Sequence, residues 1–116
     1  METNQRKRGI LLNGFPLSAF GNPSQLTAKF RRLTLSQLRE VLQSVDEIIS
    51  YIRHAATVEL ISRAVGRQLQ PSNGVYNYVD GDIIIVAVLT TPSRGQEVTQ
   101  LTEEDIAIYE VTVRFE

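Results

Sequence analysis

One stretch of the sequence places an acid–base group beside a potential anion site. His54 is the single histidine of the 116-residue chain, and it stands at the start of a segment with helical periodicity. Ala55 and Ala56 follow it and leave the helix start open to a ligand, and the Thr57 hydroxyl can donate to a phosphate oxygen. Because a helix N-terminus attracts anions and imidazole exchanges protons near neutral pH, the segment predicts a general acid or base in phosphodiester cleavage.

A second interpretation of His54 remains open. A lone histidine at a helix start is often a partly exposed residue that is hydrogen-bonded to a neighbouring carbonyl and has no catalytic role. A metal site is not indicated, because one histidine, scattered carboxylates and no cysteine provide no recognisable ligand set. Glycine-rich signatures of nucleotide and dinucleotide binding are missing as well, so we expect no metal and no cofactor.

Composition is that of an ordinary globular domain. Twelve basic and thirteen acidic residues leave a formal charge of -1, which lacks the strong positive field of a general nucleic-acid binder. Apolar runs such as residues 82–89 are much shorter than the ~20 residues of a membrane helix. The segment after the basic N-terminus breaks at Asn13 and Pro16 and does not fit a signal peptide. We therefore expect one domain over residues 1–116, a flexible tail over residues 1–8, and neither a membrane nor duplex DNA as partner.

Hydrophobic patterns in the first half of the chain alternate between strand and helix periods. Residues 9–15 predict a buried first strand that ends in a loop, and residues 27–35 predict an edge strand. Residues 34–45 predict a short helix with Ser36 as its N-cap. A second helix is centred on residues 55–65, with the following glycine, Gly66, as its stop signal.

Strand signals dominate the second half. Residues 74–79 and 82–91 predict a hairpin that turns at Asp80-Gly81, residues 101–106 a capped acidic turn, and residues 108–115 a final strand. The fold class is therefore α+β: a small mixed, largely antiparallel sheet of four to five strands with helices packed on it. One sheet face is left for a second subunit, so a dimer is expected.

Parts of the sequence resemble the small ring nucleases of viral anti-CRISPR and CRISPR-associated origin, first seen as uncharacterised archaeal virus proteins. The resemblance covers residues 9–20, 51–70 and 75–91. That family has an Asn-small-Phe signature after its first strand, which Asn13, Gly14 and Phe15 match. It also has a histidine followed by small polar residues and a helix ending in glycine, which residues 54–66 match.

The resemblance implies a homodimer that binds a cyclic oligoadenylate, typically the four-membered ring, across its two-fold axis and cleaves it without a metal. A ribose 2′-hydroxyl attacks the adjacent phosphorus and leaves linear products with 2′,3′-cyclic phosphate ends, while His54 protonates the departing 5′-oxygen. The protein then has only to align the substrate, stabilise charge and supply a proton. These rings are messengers of type III CRISPR defence, which implies the cytoplasm of a prokaryotic cell or of a virus-infected prokaryotic host.

The resemblance also assigns site residues. The family's arginine and glutamate, three residues apart, match Arg94 and Glu97 after a short insertion. Arg94 would neutralise a phosphate oxygen and Glu97 would orient the 2′-hydroxyl or the arginine, with a solvated loop pair as the alternative. The implied substrate-binding residues are Asn13, Gly14, Phe15, Ser18, Ala55, Ala56 and Thr57. Since Ala55 and Ala56 replace polar residues of relatives, the preferred ring size stays open.

Two other functions remain open. A non-catalytic protein of the same fold would sequester the cyclic nucleotide instead of cleaving it. A small transcription or interaction factor would use the basic stretches at residues 6–8 and 29–32 as phosphate contacts. The net charge and the lack of a recognisable reading helix count against the last function.

Overall fold

The computed structural model describes residues 7–21, 23–90 and 102–115. Within these residues the chain forms five strands, two α-helices and two short 3₁₀ helices. The main elements are β1 (Arg8–Leu12), β2 (Leu26–Leu33), α1 (Leu35–Gln43), β3 (Glu47–Ser50), α2 (Ala55–Val65), β4 (Ile83–Leu89) and β5 (Ile106–Phe115). The 3₁₀ helices are Leu17–Phe20 and Glu103–Asp105, the second of which is the predicted acidic turn. The α+β class is confirmed.

The five described strands form one mixed sheet in the order β2-β5-β4-β1-β3. β1 pairs in parallel with β3 and with β4, whereas β5 pairs antiparallel with β2 and with β4. The antiparallel ladders are the longer ones, and the β2–β5 ladder spans the whole of Leu26–Leu33. The predicted mixed, largely antiparallel sheet is confirmed, and β2 is the edge strand that its alternation predicts.

Local signals explain where the helices begin and end. The Thr34 hydroxyl accepts from the Gln37 backbone N–H (3.1 Å) and the Gln37 side chain accepts from the Thr34 N–H (2.8 Å), which is a capping box. The N-cap is therefore Thr34, and the assignment to Ser36 is wrong because Ser36 has no glutamine or glutamate three residues later. α2 ends at Gly66 in the left-handed conformation (φ 72°), as predicted.

The two faces of the sheet are covered by different kinds of structure. The helical face packs against α1 and α2 through aliphatic side chains such as Leu38, Leu42 and Ile61. The aromatic face is covered by the first 3₁₀ helix and by residues 74–79, which we call the strap. Aromatic side chains such as Phe20 and Tyr76 fill this second layer. Both faces are thus covered within one chain, so the expectation that one sheet face is left for a second subunit is wrong.

The strap corrects the predicted hairpin. The turn at Asp80-Gly81 is present, and the Asp82 N–H donates to the Val79 carbonyl (3.0 Å), but residues 74–79, all of them described, form no strand. The Asp82 carboxylate accepts from the Tyr76 hydroxyl (2.6 Å), and Tyr76 is only 3% exposed. These contacts direct the segment across the sheet face, because a strand beside β4 would withdraw Tyr76 from the aromatic layer.

The N-terminal end of the sheet begins earlier than the sequence predicts. β1 starts at Arg8, and the Lys7 N–H donates to the Asp46 carboxylate (2.7 Å). The tail predicted over residues 1–8 is therefore too long at its end, and its first six residues lie outside the described ranges. No helix among the described residues has the length and apolar character needed to cross a membrane.

Candidate functional site

Three parallel strands bring the predicted residues to one edge of the sheet. β1, β3 and β4 run in the same direction, so the residues that follow Leu12, Ser50 and Leu89 meet at what we call the carboxyl edge. After β1 the chain turns toward the aromatic face, whereas after the adjacent strand β3 it turns toward the helical face. In open sheets, ligands bind outside the carboxyl ends of strands at such a switch point.

His54 is the N-cap of α2 and lies at this edge. The Thr57 backbone N–H donates to its ring Nδ1 (3.3 Å), and the Thr57 hydroxyl oxygen lies 2.9 Å from the same nitrogen. Thr57 thus offers Nδ1 a donor, its amide, and an acceptor, its hydroxyl oxygen, so the ring is held whether Nδ1 is bare or protonated. When Nδ1 accepts from the amide, the neutral ring carries its proton on Nε2. The cap therefore fixes the ring and leaves Nε2 to act on a ligand.

The three residues after His54 differ in exposure. Ala55 is exposed, whereas Ala56 is 9% exposed and Thr57 is 3% exposed. The first intrahelical bond runs from the Val58 N–H to the His54 carbonyl (3.1 Å), so the N–H groups of Ala55 and Ala56 have no acceptor within the helix. Contact between substrate and the Thr57 hydroxyl stays a prediction, since that hydroxyl faces His54. The backbone of Ala55 and Ala56 is better placed for an anion than either methyl group.

A cavity of about 400 Å³ opens at the carboxyl edge between the residues after β1 and those after β3. It is lined by Asn13, Gly14, Phe15 and Ser18, four of the residues that the sequence analysis assigns to substrate binding. Arg53 lines it from the β3 side, directly before His54. We call it the edge cavity. It gathers the predicted residues that follow β1, whereas His54, Ala55, Ala56 and Thr57 do not line it.

Seven residues that line the edge cavity are not predicted from the sequence: Leu12, Pro16, Tyr51, Arg53, Gly74, Val75 and Tyr76. Arg53 has a recognisable signal, since a fixed positive charge beside a candidate proton donor favours an anionic substrate. Tyr51 follows β3 directly and lies on the aromatic face. Gly74 and Tyr76 belong to the strap, whose position depends on long-range contacts that no local pattern shows.

A buried polar network holds the strap behind the cavity. The Asp82 side chain is 2% exposed, forms a salt bridge with Arg8 (2.7 Å) and accepts from the Tyr76 hydroxyl (2.6 Å). Desolvation opposes the charge of Asp82, but the hydrogen bonds from Arg8 and Tyr76 hold its pKa below the ordinary value. Burial, followed by the hydrogen bond to Asp82, raises the pKa of Tyr76. Since Tyr76 lines the edge cavity, this network fixes one of its walls.

Arg94 and Glu97 lie outside the described residues, and their roles stay predictions. On either side of that stretch the Thr90 N–H donates to the Asp105 carbonyl (2.9 Å), next to the carboxyl end of β4. In the part of the chain that the structure describes, no group of three or more histidine, aspartate or glutamate side chains is placed to hold a metal ion.

Comparisons with known proteins agree with this architecture. The profile of the STIV B116-like family matches residues 9–114. Among solved structures, the chain is similar to B116 of Sulfolobus turreted icosahedral virus, with a TM-score of 0.68 and 20% identity over 90% of this chain and 97% of the viral one. At this identity the likeness establishes the fold alone. A comparison with curated proteins gives no match.

Proposed function

The chain belongs to the STIV B116-like family, and from this premise and the geometry of the carboxyl edge we propose that it is a ring nuclease. It would open cyclic oligoadenylates as a metal-independent phosphodiesterase, with cyclic tetra-adenylate as the expected substrate. The family match supports a viral connection through its namesake, and the chemistry is argued from the residues at the edge.

One arrangement supports this function above all: the capped His54 ring stands beside helix N–H groups that have no intrahelical acceptor, and the residue before it, Arg53, lines the edge cavity. Its Nδ1 is held by Thr57, so Nε2 has a defined direction. The N–H groups of Ala55 and Ala56 can bind the nonbridging oxygens of a phosphate, which a helix N-terminus favours. A proton donor and an anion site side by side are what phosphodiester cleavage requires.

Cleavage would use the substrate's own nucleophile. A ribose 2′-oxygen attacks the adjacent phosphorus in line, the bond from phosphorus to the 5′-oxygen breaks, and His54 in its imidazolium form gives the Nε2 proton to that oxygen. The neutral ring that remains keeps its proton on Nδ1, and this N–H donates a hydrogen bond to the Thr57 hydroxyl oxygen (2.9 Å). The ring therefore keeps its orientation through the step. We assign Arg94 to stabilisation of the charge on the phosphate and Glu97 to orientation of the 2′-hydroxyl. The proton that the 2′-hydroxyl loses on attack passes to solvent.

The size of the edge cavity bears on assembly. At about 400 Å³ it lies near the lower end of the ~300–1,000 Å³ typical of small-molecule sites, so one subunit accommodates only part of a ring of four nucleotides. A homodimer with the ring on its two-fold axis supplies two such cavities and two histidines.

The site of action would be the cytoplasm of a prokaryotic cell or of a virus-infected prokaryotic host, where cleavage switches off type III CRISPR signalling.

A sequestering protein is the alternative, and the same cap favours it. His54 already has a structural role at the start of α2, which it would keep without any catalysis. The edge cavity and the free N–H groups would then serve binding alone. Such a protein would lower the free ring concentration only in proportion to its own amount.

Product analysis separates these functions. The protein is incubated separately with cyclic tetra-adenylate and with cyclic hexa-adenylate in buffer with EDTA. The products are separated by chromatography and identified by mass spectrometry. We expect linear adenylates with 2′,3′-cyclic phosphate ends, with more than one turnover per subunit. Bound but intact ring indicates sequestration, and a ring that is neither bound nor cut contradicts both functions.

A further inference from the structure

We propose that Arg53 is a substrate-binding residue: its guanidinium binds the ring phosphate next to the scissile one, while the edge cavity accommodates the nucleotide between them. This inference rests on the proposed function, because it specifies how the same site holds its substrate. Three observations support it: the fixed backbone of Arg53, the lack of a described carboxylate paired with its guanidinium, and the lining of the cavity beside it.

The backbone of Arg53 is fixed on both sides. Ile52 before it is fully buried, and its carbonyl accepts from the Ser72 N–H (2.9 Å). His54 after it is locked by the helix cap. An arginine between two anchored residues keeps its Cα position when a ligand arrives, so only the side chain has to be ordered on binding.

No described carboxylate competes with a ligand for the charge of Arg53. Its side chain is exposed and lines the edge cavity. The ion pairs within the described ranges are Arg8–Asp82 and Arg31–Glu110, so none of the described carboxylates neutralises Arg53. A guanidinium binds phosphate through two parallel hydrogen bonds, which makes arginine the preferred partner for such a group.

Arg53 and His54 serve different phosphates. His54 has an extended backbone (φ -73°, ψ 111°) and, unlike Arg53, does not line the edge cavity. Arg53 lines the edge cavity, whereas Ala55, on the other side of His54, lines a separate groove along α2. A phosphate held by Arg53 is therefore displaced from the one beneath His54 toward the edge cavity, as the next phosphate of a nucleotide chain would be.

The cavity wall suits a nucleoside. Asn13 and Ser18 supply polar groups, and the half-buried Tyr51 supplies a ring. A Cβ atom built on Gly74 would lie 3.3 Å from the Ser72 Oγ and 3.4 Å from two carbons of the Tyr51 ring, so a larger side chain at this position would fill the space beside that ring. Bases stack on such rings irrespective of their identity, and the polar groups then discriminate among them.

The test measures binding of a ring that cannot be cut. Cyclic tetra-adenylate with 2′-O-methyl riboses lacks the nucleophile, so the wild-type protein can be used directly. Its dissociation constant is measured at several salt concentrations for the wild type, Arg53→Ala, Arg53→Lys and Gly74→Val. Arg39→Ala is the matched control, because Arg39 is an exposed arginine of α1 that lines none of the cavities described.

We expect Arg53→Ala to weaken binding about tenfold and to reduce the slope of log affinity against log salt by about 0.7, the contribution of one phosphate contact to a single strand. Arg53→Lys restores the slope but not the full affinity. Gly74→Val weakens binding about tenfold with the slope unchanged, because it blocks stacking and not charge. Arg39→Ala changes neither quantity.

The possible failures are distinguishable. If the wild type binds the ring and Arg53→Ala binds it with the same affinity and salt slope, the role of Arg53 is wrong while the proposed function stands. A loss of affinity at an unchanged slope also contradicts a phosphate contact. If the wild type binds no ring, both the proposed function and the role of Arg53 are overturned.

Discussion

The helical face and the aromatic face bury the same sheet by different means. On the helical face, fully buried aliphatic residues such as Leu38 and Ile61 come from helices whose ends are fixed by local caps. On the aromatic face, Phe15, Phe20 and Tyr76 come from irregular segments that long-range contacts hold in place. The first face secures the fold and the second shapes the edge cavity. His54 connects the two, because it caps a helix of the first and directly follows Arg53, which lines the cavity of the second.

Phe15 illustrates the second face. It lines the edge cavity, as a predicted substrate contact should, and its ring also stacks on Phe20 with centroids 5.1 Å apart. Core packing and the wall of the edge cavity thus involve the same side chain. On the helical face no such overlap is needed, since its core residues are remote from solvent. Substitutions on the two faces should therefore fail in different ways.

The largest effect on stability is expected on the helical face. Leu38→Ala removes a fully buried side chain and should lower the free energy of unfolding by about 3 kcal/mol, with no dependence on pH. Urea denaturation followed by circular dichroism measures it. Leu17→Ala is the control, because Leu17 is 66% exposed and its loss should change little. Equal losses for the two variants would contradict the assignment of the core.

A smaller and pH-dependent effect is expected behind the aromatic face. Asp82→Asn leaves Arg8 without its counter-charge and should cost about 2 kcal/mol near pH 7, reduced from the fully buried case because the Arg8 side chain is 24% exposed. The pKa of Asp82 is lower in the fold than in the unfolded chain. Its stabilisation is therefore complete above the unfolded value of ~4 and is lost as pH falls through the folded value.

Urea denaturation across a pH series checks this prediction. The wild type and Asp82→Asn should converge in stability in acid below the folded pKa of Asp82, and their difference should reach its full size at pH ~4 and stay constant above it. Glu40→Gln on the exposed side of α1 is the control and should follow the wild type throughout. A difference between wild type and Asp82→Asn that does not change with pH would contradict an ionised Asp82 in the fold.

The smallest effect on stability is expected at Thr57, which holds the His54 ring. Thr57→Val keeps the shape of the buried side chain but removes the hydroxyl beside His54, so it should cost about 1 kcal/mol. Because the imidazolium loses its Nδ1 partner, we expect kcat for ring cleavage to fall about tenfold with little change in ring affinity. Thr112→Val, an exposed threonine of β5, is the control. A change in ring affinity without a change in kcat would contradict this role and indicate that the Thr57 hydroxyl contacts the substrate directly.

Signals within a few residues were sufficient for much of the fold. The period of residues 55–65, the glycine at Gly66 and the alternation in β2 and β5 each act locally, and the structure confirms them. The capping box of Thr34 is also a local signal, because Gln37 follows Thr34 by three residues, whereas Arg39 follows Ser36 at that spacing.

The strap and the full site depend on contacts that sequence patterns do not contain. Tyr76 lies six residues from Asp82, but Arg8, the third member of their network, is 74 residues away from that carboxylate. Alternation in residues 74–79 favours a strand, and the network overrides it. Asn13 and His54 are predicted because each lies in a recognisable motif, whereas Arg53 and Gly74 become candidate site residues only once the edge cavity is known.

The most direct test of the catalytic role is His54→Asn assayed with cyclic tetra-adenylate in EDTA. Asparagine is a good N-cap and can accept the Thr57 N–H, so α2 should stay intact, but it has no proton to donate to a leaving oxygen. We predict wild-type thermal stability and ring affinity with cleavage slower by roughly 10²–10⁴-fold, the usual contribution of a general acid. Cleavage by this variant at nearly the wild-type rate would contradict the account, because the proton would then come from a group other than His54.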